Sequence, residues 1–126
     1  MTSELVLDAS TVIAFLDAHD AHHAAAASLL VPHATERATL YMHVVNVAEV
    51  LVRPVMAGRE DAALNVLAEL GVVTDDVADP PLVLARLRAV TGLKMPDCCA
   101  LAVAQRRQLE LLTFDDRLAA AARSGR

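Results

Sequence analysis

The chain has 126 residues, a formal net charge of −5 and an apolar content of 56%, which is the size and composition of one globular domain over residues 1–126 with a substantial core. With 2% aromatic residues and no Trp, it has few of the stacking platforms that single-strand binders use, and its net charge argues against a nonspecific DNA coat. No apolar stretch is long enough to span a membrane and the N-terminus lacks the basic start of a secretory signal, so we expect a cytoplasmic protein.

Strand and helix signals alternate along the chain. Short apolar runs predict strands at residues 4–8, 39–42, 72–74 and 109–113. Apolar residues at helical spacing predict helices at residues 11–16, 22–30, 46–52, 60–70, 80–90, 97–105 and 115–123. Ser10 is the expected N-cap of the first helix, Pro32 and Pro54 are expected to stop the second and third helices, and Pro96 suits a first helical turn.

This alternation predicts parallel strand pairing with right-handed crossovers, and hence an open α/β sheet with helices on both faces. In such sheets, ligands bind beyond the carboxyl ends of the strands, where the strand order reverses. The sequence places acidic residues at or near these ends. Asp8 ends the first strand, Glu49 lies in the helix after the second, Asp97 begins the helix before the fourth, and Asp115 and Asp116 follow the fourth.

Carboxylates gathered at one rim would repel one another unless a cation joined them. Oxygen ligands select Mg²⁺ or Mn²⁺, and such ions can orient water and neutralise a leaving oxygen in phosphodiester hydrolysis. Each acid also has a structural alternative. Asp8 and Asp115 suit turns or helix caps, Asp97 suits a first helical turn, and Glu49 can pair with Arg53 four residues later.

Four motifs together resemble the PIN domain over nearly the whole chain: DAS at 8–10, NVAEVL at 46–51, MPDCCALAVA at 95–104 and LLTFD at 111–115. The chain length resembles the VapC-like ribonucleases of toxin–antitoxin pairs. The resemblance implies a PIN-like fold with a central parallel sheet of four or five short strands.

The same resemblance implies an endoribonuclease that uses Mg²⁺ or Mn²⁺. The implied catalytic and metal-binding residues are Asp8, Glu49, Asp97 and Asp115. The implied supporting residues are Ser10 and Thr113, with Asp116 as an ambiguous fifth acid. The implied partners are an RNA substrate, with transfer RNA as one candidate, an antitoxin protein and a second copy of the chain in a homodimer.

Basic residues are concentrated late in the chain: residues 80–126 contain 8 basic and 4 acidic residues, whereas residues 1–79 contain 3 and 12. Either the late basic residues line one edge of the molecule or they cover solvated helix surfaces. The candidates for phosphate contacts are Arg86, Arg88 and Lys94. Arg53, one turn from Glu49, either orients that carboxylate or touches the substrate.

Several other reactive side chains have simpler interpretations. His19, His22 and His23 could ligate zinc, but no fourth ligand is evident nearby, so we interpret them as a polar helix start. His33 and His43 are expected at the surface. Cys98 and Cys99 are adjacent and cannot form a disulfide framework, so we expect small buried hydrophobic residues.

Two other functions compete with a nuclease. A haloacid-dehalogenase-like phosphatase would use Asp8 as nucleophile, Lys94 on the phosphate and Asp115 with Asp116 on Mg²⁺. However, Ser10 stands where such enzymes carry a second Asp, and Glu49 would have no role. The other alternative is a catalytically inactive PIN-like binding module, against which the four acids argue.

Overall fold

The computed structural model describes residues 4–124, in which four strands alternate with seven helices. The strands are β1 (Leu5–Leu7), β2 (Leu40–His43), β3 (Val72–Asp75) and β4 (Leu111–Leu112). The helices are α1 (Ala9–Leu16), α2 (His23–Thr35), α3 (Val44–Met56), α4 (Glu60–Leu70), α5 (Pro81–Thr91), α6 (Met95–Arg107) and α7 (Asp116–Ser124). The predicted order of strands and helices is confirmed.

The four strands form one parallel sheet in the order β3-β2-β1-β4. In this register Leu5 faces Leu40 on β2, and Val6 faces Leu111 on β4. The chain therefore builds outward from β1 to β3 and then returns across β1 to add β4. The strand order reverses between β1 and β4, so their carboxyl ends flank the position where open α/β sheets bind ligands.

The core lies on both faces of this sheet. Leu5 and Leu7 pack into a cluster with side chains of α1 to α4, whereas Val6 packs into a second cluster with α6 and α7. Successive side chains of a strand point to opposite faces, so the fully apolar β1 fits its central place. Cys98 and Cys99 are buried free thiols, which confirms their interpretation as core residues.

Two predicted helix ends are wrong. Helices α2 and α3 contain Pro32 and Pro54 and continue to Thr35 and Met56. A proline removes one helical hydrogen bond, but the residues after it still donate theirs: the backbone N–H of Ala57 donates to the Arg53 carbonyl at 3.0 Å. Each proline therefore lies in a final turn that the chain completes. Among residues 4–124, no helix has the length and apolar character needed to cross a membrane.

Candidate active site

Asp8 lies at the carboxyl end of β1 and is the N-cap of α1, which corrects the predicted cap at Ser10. The chain passes from strand to helix with only Asp8 between them, so the extended Asp8 takes the cap position. Its carboxylate accepts hydrogen bonds from the Thr11 backbone N–H at 3.1 Å and from the hydroxyls of Ser10, Thr11 and Thr113. Asp8 is 4% exposed, and these donors fix its orientation.

Thr11 is a further donor to Asp8 that the sequence did not predict. Its hydroxyl donates to Asp8 at 2.9 Å and also lies 3.3 Å from the Leu112 carbonyl on β4. The signal for it was its position three residues after the true cap, where an N-cap side chain bonds the backbone. Thr11 thus links Asp8 to β4.

Glu49 projects from α3, and the side chain of Asn46 holds it. Asn46 Nδ2 donates to Glu49 Oε1 at 3.2 Å and to the Pro96 carbonyl at 3.1 Å. The alternative pairing of Glu49 with Arg53 is not observed. Within residues 4–124, Arg53 makes its ion pair with Asp17 at 3.9 Å and has a side chain that is 84% exposed.

Asp97 lies in the first turn of α6, and its electrostatics show which acids surround it. Burial raises its pKa, and so do the charges of Asp115, Asp8 and Glu49, whereas Lys94 lowers it. The fold therefore brings the charges of the other three predicted acids to bear on Asp97. We call Asp8, Glu49, Asp97 and Asp115 the carboxylate cluster.

Asp115 follows β4 and also caps a helix. Its Oδ1 accepts from the Leu118 backbone N–H at 2.9 Å, while its own N–H donates to the Thr113 hydroxyl at 3.0 Å. Asp115 is therefore a helix cap, as its structural alternative predicted, and it is also a member of the carboxylate cluster. Asp116 is exposed in the first turn of α7 and is not among the charges that shift the pKa of Asp97.

An aromatic pair adjoins Asp115. The rings of Phe114 and His22 stack with centroids 4.7 Å apart and planes 10° apart. His23 Nδ1 lies 2.9 Å from the Ala14 carbonyl, and His33 Nδ1 lies 2.7 Å from the Leu29 carbonyl. The histidines of α2 thus contact protein groups, and no zinc-binding group of three ligands occurs among residues 4–124.

The donor chemistry of the carboxylate cluster fits a hard divalent cation. Its members are oxygen ligands that repel one another, as the raised pKa of Asp97 shows. Asn46 Oδ1, on the amide that holds Glu49, is a buried acceptor without a hydrogen-bond partner. As they stand, no three His, Cys, Asp or Glu side chains among residues 4–124 are arranged to hold a metal ion.

The predicted substrate cations differ in their surroundings. Lys94 is exposed immediately before α6 and acts on the charge of Asp97, which places it at the rim of the cluster. Arg88 donates to the Leu93 carbonyl at 2.6 Å and so holds the turn between α5 and α6. Arg86 is exposed on α5.

Other basic residues of the second half are paired within the protein. Arg106 and Arg107 donate to the buried carboxylate of Asp75, and Arg106 Nε also donates to Asp79 at 2.8 Å. The Arg107 guanidinium lies 3.8 Å from the centre of the Tyr41 ring. These arginines are neither a substrate-facing edge nor a simple solvated surface; they join the end of α6 to the end of β3.

His43 belongs to the same part of the structure, and its predicted surface position is wrong. It is 5% exposed. Its Nδ1 accepts from the Val45 N–H at 3.0 Å, and its Nε2 lies 2.9 Å from Asp79 Oδ2. Because α3 begins directly after β2, His43 takes the N-cap position of α3 and is enclosed there.

Comparisons with known proteins agree with this geometry. The family model of the PIN domain matches residues 5–124, so the chain belongs to the PIN domain family. The structure of VapC20 from Mycobacterium tuberculosis, described as a sarcin–ricin loop cleaving toxin, matches with a TM-score of 0.71 and 16% identity, covering 93% of this chain and 94% of that one. PAE2754 from Pyrobaculum aerophilum matches with a TM-score of 0.60 and 26% identity, covering 96% and 87%. A comparison with curated protein sequences finds no significant match.

Proposed function

We propose that this protein is a VapC-like endoribonuclease toxin that cleaves RNA with Mg²⁺ or Mn²⁺ and is neutralised by a cognate antitoxin. The observation that carries the proposal is the carboxylate cluster, in which three acids from separate parts of the chain raise the pKa of Asp97. Membership of the PIN domain family supports a nuclease. The likeness to VapC20, described as a sarcin–ricin loop cleaving toxin, supports RNA as the substrate class.

The carboxylate cluster would hold the cation, which would supply Lewis-acid activation of water and neutralise charge on the phosphodiester. The other residues act on the cluster or on the RNA. Ser10, Thr11 and Thr113 donate to Asp8 and hold its carboxylate in one orientation. Lys94 at the rim supplies a cation for the RNA backbone.

Further phosphate contacts are assigned to Arg86 and Arg53, because both are exposed. Arg88 already donates to the Leu93 carbonyl, so it is a weaker candidate for a phosphate contact than Arg86 or Arg53. Asp116 remains a supporting candidate beside Asp115. A toxin of this kind would act in the cytoplasm, where its RNA targets are found.

The protein partners belong to the same proposal. An antitoxin and a second copy of the chain both require apolar surface, and α3 exposes Val52, Val55 and Met56, the last with 82% exposure. Val55 and Met56 follow Val52 by three and four positions, so they lie on the same side of the helix as Val52. This apolar surface supports the part of the proposal that concerns protein partners.

The phosphatase alternative has less support. The Ser10 hydroxyl stands where a second Asp would act and donates to Asp8, and the charge of Glu49 acts on Asp97 within the cluster. Hydrolysis of small phosphomonoesters, with a phosphorylated Asp8 detected by mass spectrometry, would favour it over the nuclease.

The decisive experiment is cleavage of labelled transfer RNA and ribosomal RNA fragments by the purified chain. We expect cutting in Mg²⁺ or Mn²⁺ and none in excess chelator. Asp8→Asn and Asp97→Asn should fold and lose cutting, whereas Glu69→Gln, an exposed carboxylate on α4, should cut normally. Full activity in chelator, or in both aspartate variants, would refute the proposal. A folded wild type that binds RNA without cutting any substrate would indicate the inactive binding module.

A further inference from the structure

Asn46 is a buried polar residue that begins the NVAEVL motif but is not one of the four acids of the carboxylate cluster. It lies near the start of α3 and is 1% exposed. Its Nδ2 donates to Glu49 Oε1 and to the carbonyl of Pro96, the residue before Asp97. One side chain therefore connects α3, which carries Glu49, to the first turn of α6, which carries Asp97.

The orientation of this amide follows from its partners. An ionised carboxylate and a backbone carbonyl are both acceptors, so only the Nδ2 end can face them. Asn46 Oδ1 is left as an acceptor in the same buried space. Among the residues that the structure describes, it is the one buried side-chain nitrogen or oxygen without a hydrogen-bond partner.

A buried, unpaired acceptor destabilises a fold. Leu has a similar size and would avoid that cost, but it would also lose both bonds that Nδ2 donates and leave the Pro96 carbonyl without this donor. Glu49, the charged side chain that Asn46 contacts, cannot donate to Oδ1 when ionised. A water molecule can donate, and Mg²⁺ and Mn²⁺ sites usually retain several waters.

We propose that Asn46 is a positioning residue of the carboxylate cluster: Nδ2 holds Glu49 beside the start of α6, and Oδ1 accepts a hydrogen bond from a water that hydrates the divalent cation. This inference rests on the proposed metal-dependent function. Groups that orient metal ligands in this way typically contribute about 10–100-fold to metal affinity.

The test measures Mn²⁺ binding by electron paramagnetic resonance, with thermal unfolding in chelator measured in parallel. We expect Asn46→Leu to remain folded in chelator and to bind Mn²⁺ about 10–100-fold more weakly. Asn46→Ala, which leaves room for water, should also weaken Mn²⁺ binding and keeps the test valid if the leucine variant does not fold. Asn65→Ala, at an exposed position on α4, is the matched control and should bind Mn²⁺ normally.

A second readout separates positioning from a purely structural role. If Asn46 positions the cation site, added Mn²⁺ should recover part of the lost RNA cleavage in the variants. If both variants fold and bind Mn²⁺ as the wild type does, the inference is overturned while the proposed nuclease stands. If the wild type itself neither binds Mn²⁺ nor cuts RNA, the proposed function fails first and the inference fails with it.

Discussion

Asp75 provides a prediction whose size can be worked out from the structure. Burial raises the pKa of its carboxyl, but hydrogen bonds from Arg106 and Arg107 outweigh burial and lower the pKa from 3.8 to about 2. Because this pKa is lower in the folded state, ionised Asp75 stabilises the fold above pH 3.8, and that contribution is lost as the pH falls toward 2. The difference between these two values corresponds to about 2 kcal/mol.

Replacement of Asp75 by Asn mimics the protonated side chain, since both are neutral and similar in shape. We expect Asp75→Asn to lower the free energy of unfolding by about 2 kcal/mol at pH 7, as measured by urea denaturation with circular dichroism. The gap between wild type and variant should shrink as the pH falls from 4 to 2, because wild-type Asp75 then takes up its proton. Comparing the two proteins cancels the contributions of the other carboxyl groups.

The neighbouring residue supplies the control. Asp76 is exposed, so Asp76→Asn should change the free energy of unfolding by less than about 0.5 kcal/mol. An Asp75→Asn gap of the same size at pH 7 and pH 2 would show that packing, rather than charge, causes it. No gap at pH 7 would show that burial of Asp75 cancels its pairing with the arginines.

Three further substitutions test other parts of the site. Burial and neighbouring carboxylates raise the pKa of Asp97 above 3.8, so its ionised form destabilises the metal-free fold. Asp97→Asn should therefore raise the melting temperature in chelator at pH 7, and this gain should be lost as the pH falls to about 3.8. A lower melting temperature of the variant at pH 7 would contradict this reasoning. Thr113→Val removes a donor to Asp8 and should lower the free energy of unfolding in urea by about 1–3 kcal/mol. Thr113→Ser keeps the hydroxyl and should retain most of that stability. Equal stability of the two variants would mean that this hydrogen bond contributes nothing. Arg86→Ala should raise the KM for RNA without changing stability. Arg88→Ala loses the bond to the Leu93 carbonyl and should lower the melting temperature. A stability loss in Arg86→Ala and a raised KM in Arg88→Ala would exchange their assigned roles.

The parts of the fold that depend on local pattern were predictable from the sequence. Short apolar runs and helical spacing predicted the order of strands and helices, and the parallel-sheet rule then placed Asp8 and Asp115 at one edge. The same rule grouped Glu49 and Asp97 with them as acids near strand ends, and the family resemblance implied the catalytic and metal-binding roles of all four. The charges of Asp8, Glu49 and Asp115 act on Asp97 in the structure; the catalytic and metal-binding roles of the four acids stay predictions.

The parts that depend on distant contacts were not predictable. The bond from Asn46 to the Pro96 carbonyl spans 50 residues, and the pairing of Arg106 with Asp75 spans 31. Neither residue has a local signature that distinguishes it from an ordinary polar or basic helix residue. The wrong position of His43 has a similar cause, since its burial depends on Asp79 in a distant loop. Pro32 and Pro54 show that a helix stop signal can be delayed by most of a turn.

The position of Asp8 between β1 and α1 constrains how this protein can lose its activity. Asp is a strong helix cap and Asn caps about as well, whereas Ala forfeits about 1 kcal/mol at such a position. Asn at position 8 would thus yield a catalytically inactive protein with its outer surface intact. This variant would still bind any inhibitor that recognises that surface. Ala at the same position would weaken the first helix and expose the chain to proteolysis. Under the proposed toxin function, a cell that escapes by these two routes would end with different amounts of free antitoxin.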